Sequence, residues 1–165
     1  MKINRLLFVL AIAVTIIETL YYYSLLPTTV AVHFNAAGQA DTWGSKDHFF
    51  MIMGITFVLM IIVFSGLPML IRRVPDSLIN LPNKGYWLAP KRREETISRL
   101  IDQLFFIGAL SLLLMDILWY LVLKANLSDK PSLSAEWLWS MIIAFFVIVI
   151  LWTILLIRSF RKPNE

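Results

Sequence analysis

The sequence contains no cysteine and only two histidines, His33 and His48. The absence of cysteine excludes disulfides, thiolate metal sites and cysteine nucleophiles. There is no HExxH motif and no serine lies in a GxSxG elbow, so the common hydrolase arrangements are missing. His33, Asp41 and His48 are spread along one loop without a compact ligand motif, which does not favour a metal site. We expect a protein that is not an enzyme and that uses no cofactor.

Charged residues are almost absent from four long apolar segments, which cover residues 6–25, 49–71, 100–123 and 137–157. Each segment is close to the ~20 residues that a helix needs to cross about 30 Å of hydrocarbon. The chain has 165 residues, 59% of them hydrophobic, and a mean hydropathy of +0.74. The sequence therefore predicts an all-α fold, an integral membrane four-helix bundle that forms a single domain over the whole chain.

Positive charge is concentrated on one side of this four-segment plan. Of the fifteen Lys and Arg residues, Lys46, Lys124 and Lys130 fall on the side opposite the termini. The other twelve share the side of both termini: Lys2, Arg5, Arg72, Arg73, Lys84, Lys91, Arg92, Arg93, Arg99, Arg158, Arg161 and Lys162. Because positive charge is retained in the cytoplasm during insertion, we expect both termini inside. Topology and attraction to anionic lipid account for the net charge of +4, so nucleic acid is not expected as a partner.

The N-terminus combines a basic start with an apolar run, as a signal peptide does. Glu18 interrupts this run, which nevertheless continues through Tyr23. Both features favour an uncleaved first helix.

The outer connections differ in length and composition. The first, residues 26–48, has a β-branched stretch at 30–34 and turn residues at 35–38. This pattern predicts a small strand or hairpin folded over the mouth of the bundle. The second outer connection, residues 124–136, has the composition of an ordinary turn, and the interfacial anchors expected after it are Trp137 and Trp139.

The inner connection covers residues 72–99 and changes character along its length. Pro90 predicts the first turn of a helix that continues through Arg99 into the third span. Tyr86 and Trp87 precede that helix and are expected at the level of the lipid headgroups.

Acidic side chains fall inside the predicted spans. Glu18 and Asp116 each lie about 18 Å from the basic side at 1.5 Å per residue, so their carboxyls could face each other. Asp102, Ala109 and Asp116 are seven residues apart on one stripe of the third helix. No Lys or Arg lies within any predicted span, which favours neutral carboxyls. The acids could form a proton or cation relay, or a polar core satisfied by Thr15, Tyr21, Tyr22, Ser111 and Tyr120.

The outer loop holds the densest group of candidate binding side chains. We predict ligand contacts from His33, Asn35, Asp41, Trp43 and Lys46, which include an imidazole, a carboxylate, an aromatic plate and an ammonium. Such a set beside a membrane surface could bind a peptide or a small polar ligand. The alternative is that His33, Trp43 and Lys46 cap the bundle and anchor the loop at the interface.

A family resemblance rests on the outer run Leu26-Pro27, His33-Phe34, Gly38 and Trp43-Gly44-Ser45-Lys46. This run resembles the uncharacterised bacterial membrane domain found at the N-terminus of SdpI-type immunity proteins. A second stretch resembles the cytoplasmic segment of relatives with that domain, and we call it the cytoplasmic motif: Asn83, Lys84, Tyr86, Trp87, Arg92 and Arg93. SdpI-type proteins protect a producing cell against its own secreted toxin and hold a repressor at the membrane. The resemblance implies immunity and signalling, although those proteins have further spans and four are predicted here.

We weigh three functions, each with the lipid bilayer as a partner. The leading hypothesis is a non-enzymatic, multi-pass protein of the bacterial inner membrane. Its outer loop senses or intercepts a secreted antimicrobial peptide, and its inner side contacts a repressor or another protein. The second is a small proton-coupled transporter that uses Glu18 and Asp116. The third is a structural or assembly subunit that packs through Gly108 and Ala109, for which a homo-oligomer is an option.

One span separates the outer loop from the cytoplasmic motif, so the two lie on opposite membrane faces. They cannot form one site. If both have a role, the arrangement suggests communication across the bilayer, with the basic inner segment contacting lipid or a cytoplasmic protein. The alternative for Arg92 and Arg93 is simple retention of positive charge inside.

Overall fold

The computed structural model describes residues 3–161, so Lys2 and Lys162 of the charge pattern lie outside the described residues. Over this range four helices are long and apolar enough to cross a membrane. They are α1 (Ile3–Leu25), α2 (Lys46–Ile71), α4 (Arg93–Ala125) and α5 (Ala135–Ser159). The predicted multi-pass helical fold is confirmed, and each helix extends a few residues beyond its apolar run.

The long α4 is the centre of the bundle, and α1 and α2 pack against it. Its buried face includes Leu112 and Trp119, which meet Phe8 of α1 and Phe57 of α2 in one apolar core. A Cβ added to Gly108 would come within 2.8 Å of the ring of Phe64. Glycine therefore lets α2 approach α4 closely.

Helix α5 lies at the edge of the bundle. None of its described side chains is buried, and it joins α4 through few contacts. Trp152 Nε1 donates a hydrogen bond to Gln103 Oε1 at 2.7 Å, and the Trp152 ring stacks on Phe106 with centroids 6.3 Å apart. An apolar helix that buries so little against protein is stable only where its other faces meet lipid.

The outer connection after α1 folds as the predicted hairpin. Strands β1 (Thr29–Phe34) and β2 (Ala40–Ser45) pair antiparallel, with a bulge near His33. The turn is closed by Asn35, whose Oδ1 accepts hydrogen bonds from the backbone N–H groups of Ala37 and Gln39, both at 3.0 Å. Helix α2 begins directly after β2.

The second outer connection is more than the ordinary turn predicted from its composition. Leu133 N donates to Gly38 O at 2.7 Å and Ala40 N donates to Pro131 O at 3.4 Å, so this segment runs beside the hairpin turn. Asn126, at the end of α4, is buried and bonds to the backbone of Ala31. The prediction failed because these backbone pairings depend on neighbours distant in sequence.

The inner side is closed by a small cap made of a 3₁₀ turn (Asp76–Leu78), the short helix α3 (Lys84–Trp87) and the buried ring of Phe160. The prediction that Pro90 starts the third span was wrong, because α4 begins at Arg93. The N–H groups of Arg92 and Arg93 both donate to Ala89 O, so the segment around Pro90 forms a tight turn ahead of the helix.

Candidate functional site

The exposed face of the outer hairpin carries a hydrogen-bonded pair of titratable side chains. His33 Nδ1 and Asp41 Oδ1 are 2.5 Å apart, with the two side chains 65% and 40% exposed. The hydrogen bond from His33 lowers the pKa of the Asp41 carboxyl. Asp41 also accepts a hydrogen bond from Thr42 Oγ1 at 3.3 Å. The register shifts of the hairpin fall on either side of His33, and the pair lies on the surface of the hairpin, where a ligand can reach it.

Trp43 lies two residues further along β2 and is 52% exposed. It is paired in register with Ala31, whose side chain is buried. A large aromatic ring in this position offers apolar area to a ligand or to the membrane interface. Asn35 has a structural role, because its side-chain oxygen closes the hairpin turn.

The ammonium of Lys46 is used within the fold. Its Nζ donates to the carbonyl oxygens of Tyr23 at 3.0 Å and Leu26 at 3.2 Å, and it lies 4.6 Å from the centre of the Tyr23 ring. These carbonyls belong to the C-terminal end of α1, where a cation is favourable. For this residue the geometry fits the anchoring alternative, whereas His33, Asp41 and Trp43 stay available at the surface.

On the inner side, the cytoplasmic motif holds the cap together. Asn83 Nδ2 and Trp87 Nε1 both donate to the carbonyl oxygen of Phe160, at 3.1 and 2.7 Å. Asn83 adopts a left-handed backbone conformation with φ of 51°, which asparagine tolerates better than most residues. Lys84 Nζ donates to Ser77 O at 2.9 Å.

The two arginines of the motif also make contacts within the chain. Arg93 Nε donates to Asp76 Oδ1 at 2.8 Å. The guanidinium of Arg92 lies 3.8 Å from the centre of the Tyr86 ring. The motif residues thus join the inner loop to the end of α5, in addition to supplying positive charge.

The intramembrane acids gather between α1 and α4. Asp116 is 2% exposed and accepts a hydrogen bond from Thr15 Oγ1 at 2.5 Å through Oδ1. Glu18 lies close enough to Asp116 to interact with it electrostatically, and the ring of Tyr22 packs edge-on to that of Tyr120 at 6.1 Å. Among the described residues, Glu18 Oε2 and Asp116 Oδ2 are buried oxygens without a hydrogen-bond partner.

Asp102 occupies the same stripe of α4 near the basic end. Its Oδ2 accepts a hydrogen bond from Asn4 Nδ2 at 3.0 Å, and its backbone carbonyl accepts from the same amide at 3.2 Å. Ala109 and Asp116 of the stripe are buried against α1. The seven-residue spacing therefore identified the face of α4 that meets α1, and Asp102 and Asp116 lie about four helical turns apart on it.

Asn126 is the residue that sequence reasoning missed. It directly follows the last apolar turn of α4, where the C-cap of a helix usually lies. This position was the sequence signal that could have identified Asn126 as a structural residue. Its partner in the hairpin lies 95 residues away in sequence, so no local pattern marks the contact.

In the part of the chain that the structure describes, no group of three or more His, Asp or Glu side chains is arranged to hold a metal ion.

The N-terminal part of the chain is similar to known proteins. Residues 9–57 match the profile of a domain of unknown function, DUF1648. A 99-residue stretch, 58% of this chain, is 34% identical to an uncharacterized protein of Archaeoglobus fulgidus and covers 53% of it. The chain thus spans about half the length of this curated relative. No solved structure matches.

The matched segment contains most of α1, the whole outer hairpin and the first half of α2. The predicted resemblance to a membrane domain of unknown function is confirmed for this part of the chain. The family-model match covers residues 9–57, and the four-helix fold extends beyond it on both sides.

Proposed function

We propose that this protein is a non-enzymatic receptor or immunity protein of the bacterial inner membrane, and that its outer hairpin binds a secreted antimicrobial peptide. The observation that carries the proposal is the surface of the hairpin. His33, Asp41 and Trp43 are exposed there, while the backbone beneath them is tied to the bundle.

Rigidity supports a binding role for this surface. Lys46 fixes the end of α1 beside the hairpin, and Asn126 fixes β1 to the end of α4. Binding residues are often placed on loops that a rigid scaffold positions, and a preordered surface loses less conformational entropy when a ligand binds.

The chemistry of the surface suggests the kind of ligand. The Trp43 ring offers contact area to an apolar side chain, and the Asp41 carboxylate attracts a basic group. A cationic, amphipathic peptide carries both features. The surface also lies next to the mouth of the bundle, where a peptide that attacks the membrane would arrive.

A repressor or another cytoplasmic protein is proposed as the inner partner. The side chains of Asn83, Trp87 and Arg93 are engaged in the cap. The inner partner would therefore contact the open polar cleft beside it, which includes the exposed residues Lys91 and Glu95. Communication between this cleft and the hairpin would pass through α4.

Survival of cells exposed to a panel of secreted antimicrobial peptides tests the proposal. Cells that express the wild-type protein should survive at least one peptide better than cells without it. His33→Ala and Trp43→Ala should remove this protection at equal protein level. Gln39→Ala is the matched control, since Gln39 is exposed in the same hairpin and is not one of the three residues that define the proposed surface. Equal survival of all variants and of cells without the protein would overturn the proposal.

A second function, proton-coupled transport, is favoured by one observation. Glu18 Oε2 and Asp116 Oδ2 are buried oxygens without hydrogen-bond partners, and intramembrane carboxyls of this kind often serve proton relays. Proton flux into proteoliposomes separates the two roles. A relay should lose flux in Glu18→Gln and Asp116→Asn, whereas a polar core should leave both variants folded and equally impermeable to protons.

The assembly hypothesis lacks comparable support. Gly108, which suggested a surface for another subunit, packs against Phe64 of the same chain. Its absent side chain serves the α2–α4 contact within one molecule.

A further inference from the structure

A narrow cavity of about 270 Å³ lies between α1 and α4 on the lipid-facing side of the bundle. Its walls are apolar side chains such as Leu10, Val14, Ala109 and Leu113. The polar residue of the lining is Asp116. Leu10 and Leu113 are half exposed, so the cavity opens toward the lipid and we call it the α1–α4 groove.

The carboxyl of Asp116 is only partly satisfied by the fold. Oδ1 accepts the hydrogen bond from Thr15, whereas Oδ2 is buried without a partner. Within residues 3–161, every Lys and Arg of the four long helices lies within two turns of a helix end. These residues are Arg5, Lys46, Arg93, Arg99, Lys124 and Arg158. No cation of these described helices therefore reaches the middle of the groove. A buried carboxylate needs a paired charge or hydrogen-bond donors to be stable.

We propose that the α1–α4 groove binds a hydrophobic amine, with the alkyl chain between the helices and the protonated amino group donating to Asp116 Oδ2. The ammonium would supply the missing donor and the missing charge together. The apolar walls would cover the alkyl chain. The volume is near the lower end of small-molecule pockets, roughly 300 Å³, which fits a short amphiphile.

The position of Asp116 along α4 argues for an amine over a membrane phospholipid. Asp116 lies nine residues before Ala125, about 14 Å from the outer end of the helix. A phospholipid headgroup stays at the membrane surface and does not reach that depth. Its acyl chain alone would fill the groove without satisfying Oδ2, and its phosphate would be repelled by Asp116 and Glu18.

The groove also gives the ligand a direction. Its lining on α1 runs from Leu7 to Val14, about 10 Å of helix. On α4 the lining begins at the apolar Phe106 and ends at Asp116. The amino group would therefore lie at the end of the groove farthest from the basic side of the bundle, and the alkyl chain would point toward the basic side.

Binding of octylamine to the full-length protein in lipid nanodiscs tests the proposal, with 1-octanol as the uncharged match. We expect octylamine to bind and 1-octanol to bind at least tenfold more weakly. Asp116→Asn, which keeps the shape of the side chain, should weaken octylamine binding at least tenfold. Equal affinity of the two compounds, equal affinity of the variant, or no octylamine binding would overturn the proposal.

A second pair of variants tests the groove without changing Asp116, so that unfolding caused by Asp116→Asn is not mistaken for lost binding. Leu113→Trp should fill the groove while Asp116 stays in place, and it should weaken octylamine binding. Leu151→Trp on α5 is the matched control, because Leu151 is similarly exposed on a lipid-facing helix. Unchanged binding by Leu113→Trp would place the ligand elsewhere and contradict the proposal. His33→Ala and Trp43→Ala should bind octylamine normally, so this test is independent of the proposed peptide binding.

Discussion

The side chain of Asn126 satisfies both backbone polar groups of Ala31. Asn126 Oδ1 accepts a hydrogen bond from Ala31 N at 2.6 Å, and Asn126 Nδ2 donates to Ala31 O at 3.1 Å. A further hydrogen bond from Nδ2 to Val122 O at 3.0 Å orients the amide. One residue at the end of α4 thereby completes the outer edge of β1 and fixes the hairpin to the bundle.

Replacement of Asn126 by Ala should loosen the hairpin. The change leaves the buried N–H and C=O of Ala31 without partners, at about 1–3 kcal/mol for each group. Amide hydrogen exchange should show faster exchange at Ala31 and along β1, with little change in the long helices. Asp129→Asn, in the same exposed connection, is the control and should exchange as the wild type does. Unchanged protection of Ala31 in Asn126→Ala would show that the clamp does not hold the hairpin.

Two glycine substitutions should act in opposite directions. Gly38 has φ of +78°, and a Cβ there would overlap the carbonyl oxygen of Leu133. Gly38→Ala should therefore destabilise the protein by at least ~1 kcal/mol. Gly54 lies within α2 and has open space around it, so Gly54→Ala should stabilise by up to about 1 kcal/mol. Thermal unfolding in detergent micelles measures both, and a Gly38→Ala protein as stable as the wild type would contradict the described turn.

The ionisation of Asp41 should depend on His33. The hydrogen bond between them holds the pKa of Asp41 below its ordinary value of 3.8. A carboxyl with a lowered pKa stabilises the fold above its ordinary pKa, and this contribution is lost as the pH falls through the lowered pKa. In His33→Ala the pKa of Asp41 should rise toward its ordinary value, and the stability difference from the wild type should vanish at pH values below the lowered pKa. Carboxyl carbon NMR titration measures the shift, and an unchanged pKa would show that the pair does not form.

Asn83 should tolerate glycine better than alanine. Both changes remove the hydrogen bond to Phe160 O, which contributes about 1 kcal/mol. Alanine additionally places a Cβ in the left-handed conformation that Asn83 adopts, at about 1–2 kcal/mol. The melting temperature should fall in the order wild type, Asn83→Gly, Asn83→Ala. An alanine variant that is more stable than the glycine variant would contradict the described cap.

Some of these features could be predicted from the sequence and others could not. The four spans follow from runs of about 20 apolar residues, and the hairpin follows from the β-branched and turn residues at 30–38. The contacts of Asn83 with Phe160 and of Asn126 with Ala31 join residues 77 and 95 positions apart. Local patterns do not encode such pairs.

The outer-loop residues show the same limit. The sequence identified Lys46 and Asp41 as charged residues of one loop. A charged side chain there fits a ligand-binding role and an anchoring role equally well, so residue type alone did not separate the two roles. Only the fold separates them, because Lys46 faces the carbonyls at the end of α1 and Asp41 faces His33 on the surface. Depth along the helices did predict that Glu18 and Asp116 lie near each other. The hydrogen bond from Thr15 depends on how α1 is rotated, which the spacing did not fix.

The account depends most directly on the hairpin and the basic cap lying on opposite sides of the membrane. Because the chain has no cysteine, single cysteines can be placed at exposed positions Ala37 and Gly85 and labelled in intact cells with a maleimide that does not cross membranes. We predict that Ala37→Cys is labelled in intact cells and that Gly85→Cys is labelled only after the membrane is permeabilised. Labelling of Gly85→Cys alone, or of both variants in intact cells, would contradict the account.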